Sequence, residues 1–401
     1  MKNKAKIVFV SFFFWPPHFG GELKIAIERF VSLSQRGYEI VVFTSGVKGY
    51  PRKEIKDGLY IYRSPLLGES RISQRLNRLI YWLWVYWRLL TEPNVKIVHV
   101  ETIISFLGYL PAHFYACILL WIVKLKKAGS LCVHSLATSD QELFKTRNRW
   151  EKKYYRMIDQ IVCVSEALYH AVNQAHPDKA LLEPCGIHDD IFLPLPPDER
   201  VTMRTENLVN ESDIVFSFLG SFEKRKGLDL IVASFLRHLK DQNWKLWLIG
   251  PYRKEESQYI HEEEVRELIA PLEGLEDRVK YWGRVDDRES LARILAASDI
   301  FLFPTRREGF GIAPLEAMAC GVPVVVSRIT GVTDMGNIDN VTGIYIQPGI
   351  QQELEDAMIK LAGDAILRTR MGKQGRKRIV ETFSWDKHIQ NWEAIYSGVE
   401  K

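Results

Sequence analysis

The chain has 401 residues, 46% hydrophobic, 26% charged and 11% aromatic, which suffices for two or three full-sized cores and excludes a disordered protein. The net charge is only +4, but residues 1–190 carry 26 Lys/Arg against 17 Asp/Glu, so the basic surplus is confined to the first half. Such an excess suits a polyphosphate, an acidic acceptor or a membrane surface; it is too modest, and too free of module motifs, for a nucleic-acid partner.

The N-terminus, MKNKAKIVFVSFFFWPP, is basic and then apolar. Its apolar part is short and aromatic and lacks a small-residue cleavage site, so it reads as a first buried strand at 7–11 and not as a signal peptide. A cytoplasmic location is the expectation. Residues 16–24 (PPHFGGELK) then open a helix running to about residue 37. Gly20 and Gly21 let the backbone approach a phosphate closely, although a plain strand-to-helix turn needs no more than this. No Gly-x-Gly-x-x-Gly occurs, so a dinucleotide fingerprint is absent.

Further short apolar runs at 39–43, 96–100, 130–134 and 160–164 alternate with helical stretches, the pattern of parallel strands covered on both faces. Between them, residues 71–88 (RISQRLNRLIYWLWVYWR) form a basic, aromatic amphipathic helix. It suits either a membrane interface or a buried position in a large domain. His99 and Glu101 stand at the end of the run at 96–100, and His134 ends the run at 130–134. The apolar stretch 103–123 is broken by Pro111 and His113 and reads as a buried helix rather than a span.

The polar, proline-rich residues 196–211 read as a linker. Apolar runs resume at 214–219, 245–249, 279–282, 300–303, 322–326 and 343–346. After the first of these, residues 220–230 (GSFEKRKGLDL) bring Arg225 and Lys226 to a strand-to-helix turn. Cations there would neutralise a pyrophosphate and the charge building on a leaving oxygen. The run at 300–303 leads into TRREGFGIAPLEAMACGVP at 305–323, with Glu308 and Glu316 on either side of a Gly-Phe-Gly turn. Amides of Gly309, Phe310, Gly311 and Ile312 at such a turn would hold an anion. Carboxylates accept from hydroxyls and repel phosphate, so the ligand expected is a sugar and a ribose joined by phosphates. The final residues, 384–401, form an amphipathic helix with Ser384 as cap. The five cysteines are odd in number and scattered, so neither a disulfide framework nor structural zinc is expected.

The wording EGFG…PLEAMA-G-PVV resembles the Glu-x7-Glu signature of retaining glycosyltransferases of family 4, and residues 281–285 (YWGRV) resemble the turn that cradles the nucleotide base in that family. The likeness runs from Gly20 to Trp385. It implies an α/β GT-B fold of two doubly wound, Rossmann-like domains facing across a cleft: residues 1–195, then the linker, then 212–383, with the helix 384–401 returning to the first domain. It implies a nucleotide-diphosphate sugar as donor, UDP ahead of GDP, and a glycan, polysaccharide or lipid-linked acceptor. The base would lie at Gly283, Arg284 and Val285, the ribose on Glu316, the pyrophosphate on Lys226 and Arg225, and the sugar hydroxyls on Glu308. Gly20, Gly21 and His134 would approach the donor from the first domain.

Several positions depart from the family pattern. Ser221 stands where relatives carry arginine, Cys185 and His188 replace an asparagine and an aspartate, and residues 330–334 (TGVTD) soften a Gly-Gly-x-x-Glu. Asp-x-Asp is absent, so no metal or other cofactor is expected beyond the nucleotide-sugar co-substrate. Residues 71–90 would touch a membrane peripherally, at its inner face. A non-catalytic nucleotide-sugar-binding relative, or an epimerase of the same fold, is the alternative.

Overall fold

The computed structural model describes all residues except 1–3, 15–20, 69, 102–111, 127–128, 137–148, 240–241, 253–260, 330, 333–338 and 399–401. It divides into two compact units, Met1–Cys185 with His388–Lys401, and Gly186–Lys387.

The first unit runs β1 (Lys6–Val10), α1 (Gly21–Gln35), β2 (Glu39–Thr44), β3 (Lys53–Lys56), β4 (Leu59–Arg63), α2 (Arg71–Thr91), β5 (Val95–Val100), α3 (Ala112–Lys126), β6 (Leu131–Leu136), α4 (Arg149–Met157), β7 (Gln160–Cys163), α5 (Glu166–Ala175) and β8 (Ala180–Leu182). Its sheet has the order β3-β4-β2-β1-β5-β6-β7-β8, parallel throughout except for the antiparallel β3–β4 pair. That hairpin was not read from the sequence. It turns on Asp57 and Gly58, both at positive φ, which is the Asp-Gly signal for a two-residue turn. Strands such as β1 (KIVFV) are buried at every residue, as a sheet covered on both faces requires.

The second unit opens with α6 (Pro197–Glu206), inside the stretch read as a linker. That reading is corrected: Pro197 occupies the first helical turn, where its missing N–H costs nothing, and Asp198 and Glu199 face the positive helix end. Arg200 and Arg204 both donate to Asp299, at 2.6 and 2.8 Å, so α6 is anchored in the second unit. The chain continues with β9 (Ile214–Leu219), α7 (Leu228–His238), β10 (Trp244–Ile249), α8 (Glu262–Ile269), β11 (Val279–Gly283), α9 (Arg288–Ala297), β12 (Ile300–Phe303), α10 (Ile312–Ala319), β13 (Val324–Ser327), β14 (Gly343–Ile346), α11 (Gln351–Gly363) and α12 (Ala365–Arg378). The sheet is wholly parallel, in the order β11-β10-β9-β12-β13-β14.

The last helix, α13 (Trp385–Ser397), returns its residues from His388 onward to the first unit. Tyr396 Oη lies 2.6 Å from His99 Nδ1, Trp392 lies under the Arg29 guanidinium, and Glu393 takes Lys4 and Arg36. The fold is α/β with two doubly wound parallel sheets. In each, the strand order reverses beside the first strand, between β1 and β5 and between β9 and β12. Ligands of such sheets bind past the carboxyl strand ends at that switch point.

Candidate functional site

The loops that follow β9, β11 and β12 all leave the carboxyl edge of the second sheet, and they bring most of the sequence-predicted residues together. The β9 loop ends in a short 3₁₀ turn, Lys224–Lys226, closed by Gly227 at φ +79°. Only glycine fits there. A Cβ would strike the Pro304 carbonyl and lie 2.9 Å from Pro304 Cγ. This close approach locks the β9 loop to the β12 loop. The Arg225 carbonyl accepts from Arg306 N at 2.8 Å and from Thr305 Oγ1 at 3.1 Å, and Arg225 Nη1 donates to the Arg307 carbonyl.

The consequence is that Lys226, 82 positions before Glu308, forms an ion pair and hydrogen bond with it. Both side chains are 15% exposed. The Lys226 ammonium also stands 5.5 Å over the Phe303 ring, so it is walled on one side by β12. Glu308 Oε1 accepts a long 3.3 Å bond from Gly309 N. A lysine and a glutamate held together at the rim of a sheet can separate around a ligand that offers phosphate to one and hydroxyls to the other.

Glu316 lies on α10, buried among Pro314, Leu315, Ala317 and Met318, and its carboxylate meets Arg288 Nη1 at 3.4 Å. Sequence reasoning missed Arg288. The signal available was its place at the start of α9, immediately after the Gly283–Val285 turn. In that turn Gly283 takes φ +66°, its carbonyl accepts from Gly250 N at 2.9 Å, and Arg284 is held by Asp286 at 2.8 Å. Arg225 is more exposed and engages Glu223. Of the amides expected to cradle an anion, Gly311 N already donates to the Gly331 carbonyl at 2.8 Å and Ile312 N to Phe310, while Phe310 is buried. Of these bonds the long one from Gly309 N is the weakest.

The remaining expected residues belong to the first unit or to other segments of the second. His134 sits within β6, which continues to Leu136, and is 3% exposed. Its Nδ1 faces Tyr154 Oη at 3.1 Å, and burial holds its pKa down to about 3, so it is a neutral imidazole packed in the first unit. His99 is likewise buried and held well below the usual range by burial, with Ser135 and Tyr396 on its two nitrogens. Glu101, just past β5, has an Oε2 that among the described residues is shut off from solvent and finds no hydrogen-bond partner; burial pushes its carboxyl up to about 7 against the pull of Arg29. Gly21 begins α1, whereas Gly20, Thr330 and Asp334 lie outside the described residues. His188 stacks on Trp385 at 3.9 Å, and Arg376 donates to the carbonyls of Asp189 and Phe192, a structural role for that segment. A cavity of about 400 Å³ lined by Ser212, Gln242, Asn243 and Trp244 sits at the opposite, amino edge of the sheet.

The family model described as Glycosyl transferases group 1 matches residues 199–378, and the one described as Glycosyltransferase Family 4 matches residues 30–190. The chain belongs to glycosyltransferase family 4. Among curated relatives of this family 4 chain, the N-acetyl-alpha-D-glucosaminyl L-malate synthase of Bacillus anthracis is 30% identical over 209 residues, 50% of this chain and 52% of the relative. The chain thus spans about half the length of that relative. Two solved structures share the fold over nearly the whole chain. Sucrose-phosphate synthase from Thermosynechococcus elongatus has a TM-score of 0.78 at 19% identity, covering 99% of both chains. Anabaena HepE in complex with UDP-glucose has a TM-score of 0.75 at 16% identity, covering 98% of this chain and 100% of its own. This family 4 fold is therefore GT-B.

Proposed function

We propose that this protein is a retaining glycosyltransferase that moves a sugar from a nucleoside diphosphate, UDP ahead of GDP, to a hydroxyl of a glycan or lipid-linked acceptor. The observation that carries this reading is the convergence of Lys226, Glu308 and Glu316 on the carboxyl edge of one parallel sheet. HepE, of the same fold, holds UDP and UDP-glucose, which supports a uridine donor.

On this reading the diphosphate displaces Glu308 from Lys226, and the released carboxylate takes sugar hydroxyls. Arg225 supplies a second cation, the Gly283–Val285 turn takes the base, and Glu316 takes the ribose. The bond from the anomeric carbon to the leaving phosphate oxygen breaks. A bond to the acceptor oxygen forms on the same face, and the acceptor proton passes to the departing phosphate. Lys226 stabilises the charge left on that phosphate, so the scheme needs no divalent metal. His134 has no part in it, because its ring is buried against Tyr154.

The membrane reading of residues 71–90 is extended by α3. The inner side of α2 buries Tyr81, Trp82, Val85 and Leu89, whereas Leu83, Trp87 and Leu90 stand exposed on the outer side, as do Trp121 and Leu125 on α3. Tyr86 Oη donates to the Tyr115 carbonyl and joins the two helices. Exposed tryptophan and leucine on helices that also carry the exposed, basic Arg75 and Lys126 suit an anionic lipid surface, where a lipid-linked acceptor would be met. Among the described residues no helix is long and apolar enough to cross a membrane.

Thermal shift with UDP, GDP, ADP and their sugar conjugates tests the donor assignment, since a ligand at 100 times its Kd stabilises by about 2.7 kcal/mol. Stabilisation by one nucleotide together with its slow release from the sugar conjugate is expected. Binding without release favours a non-catalytic relative, and conversion of the donor sugar without transfer favours an epimerase. No shift at millimolar concentration overturns the proposal.

A further inference from the structure

We infer that Arg288 is a positioning residue for the nucleotide site: it sets the Glu316 carboxylate against the ribose and thereby makes the protein select ribonucleotides over 2′-deoxyribonucleotides. The inference rests on the reading of Glu316 as the ribose contact and deepens it.

Three observations converge. Glu316 is 8% exposed on a helix whose buried neighbours, Leu315, Ala317, Met318 and Ala319, are apolar. A carboxylate in such surroundings needs a charged or hydrogen-bonding partner to stay in one place. Arg288 is a charged partner of this kind, at 3.4 Å from Nη1 to Oε1, with side-chain exposures of 13% and 10%. Second, the guanidinium is itself aimed by the fold. Asp287 caps α9 by accepting from Ser290 N at 2.8 Å, which fixes the first residue of the helix, and the guanidinium lies 5.8 Å over the Phe192 ring. Third, Arg288 follows the Gly283–Val285 turn by three residues, so one short segment carries both the base-side turn and the group that holds the ribose-side carboxylate. The two contacts expected for a nucleoside are mechanically tied through this arginine.

An acceptor placed for two ribose hydroxyls gains from both, and a ribose lacking the 2′-hydroxyl loses a charge-assisted hydrogen bond. Loss of a hydrogen bond to a charged group corresponds to about tenfold or more in affinity. Without Arg288 the carboxylate loses this charged anchor, and the two sugars would be held more nearly alike.

The test is isothermal titration of the full chain with UDP and 2′-deoxy-UDP, and with GDP and 2′-deoxy-GDP in parallel, for wild type, Arg288→Met, Arg288→Lys and Glu316→Gln. Wild type is expected to prefer the ribonucleotide by about tenfold or more. Arg288→Met should cut that preference to within about threefold while retaining affinity for the deoxynucleotide, and Arg288→Lys should recover part of it. Glu316→Gln should mimic Arg288→Met. An Arg288→Met protein with unchanged discrimination, or one that loses both nucleotides equally, overturns the inference and leaves the donor reading intact. A wild type that binds neither nucleotide overturns the donor reading and the inference with it. Should Arg288→Met fail to fold, Arg288→Gln takes its place as the uncharged variant: discrimination reduced to within about threefold supports the role, and unchanged discrimination refutes it.

Discussion

Replacing Lys226 with methionine keeps most of the side chain's apolar stem and removes its charge. Among the described residues this leaves the Glu308 carboxylate, 15% exposed, with the long 3.3 Å bond from Gly309 N. Breaking a fully buried pair by deleting one partner costs about 3–5 kcal/mol, and the residual water access here reduces that to about 2 kcal/mol. In a unit the size of Gly186–Lys387, that corresponds to a fall of roughly 4–8 °C in melting temperature. The double variant Lys226→Met/Glu308→Gln has no orphan charge and should recover most of the loss. Activity should behave differently. Both variants lack the cation facing the leaving diphosphate, a group worth about 10²–10³ in turnover. Calorimetric melting and nucleotide release from UDP-glucose, measured on the same three proteins, separate the two effects. A double variant no more stable than the single would refute the ion-pair reasoning, and near-normal turnover in either would refute the assignment of Lys226.

Gly227→Ala forces an L side chain to φ +79° against Pro304, so it should destabilise the second unit by more than about 1 kcal/mol in urea unfolding and weaken nucleotide binding; a neutral effect would mean the two loops are not locked. Glu101 is raised to about 7 from 4.5, so the folded state keeps its proton while the unfolded chain has lost it, and this group removes stability as pH rises from about 4.5 to 7. His99, His134 and His388 act in the opposite sense: burial lowers their pKa values, so their contribution is lost as pH falls below about 6.5. Glu101→Gln should therefore gain stability on wild type at pH 7 and little at pH 4.5, and an equal difference at both would argue against the buried carboxyl. Trp87→Ala/Trp121→Ala, at two side chains 56% and 60% exposed, should leave the melting temperature unchanged and reduce sedimentation with phosphatidylglycerol vesicles several-fold; undiminished sedimentation would remove the α2–α3 face from the membrane proposal.

Much of the fold was legible because its signals are local. Buried parallel strands are continuous apolar runs, and IFLF at β12 or KIVFV at β1 declares itself without any partner in view. The turn chemistry of 305–323, with its two glutamates, is likewise contained in one stretch of chain, and so is the capped, amphipathic final helix. Where local signals were ambiguous the reading slipped. Two consecutive prolines at 196 and 197 suggested a linker, although proline is as much at home in a first helical turn, and only Asp299, about a hundred positions later, shows what α6 packs on. The run at 130–134 stopped at His134 because Ser135 is polar, whereas the pairing of β6 with β7 carries the strand on to Leu136.

Two doubly wound sheets could be read from composition, periodicity and turn type, which act over a few neighbouring positions, and the same local signals made Lys226, Glu308 and Glu316 the candidates for phosphate and hydroxyls. Only the tertiary structure decided which of them meet. It set Lys226 against Glu308, gave Glu316 an arginine for a neighbour, and buried His134 behind Tyr154. The physical reason is that charge pairing and desolvation depend on what lies within a few ångströms in space, and those neighbours arrive from strands and loops far apart along the chain.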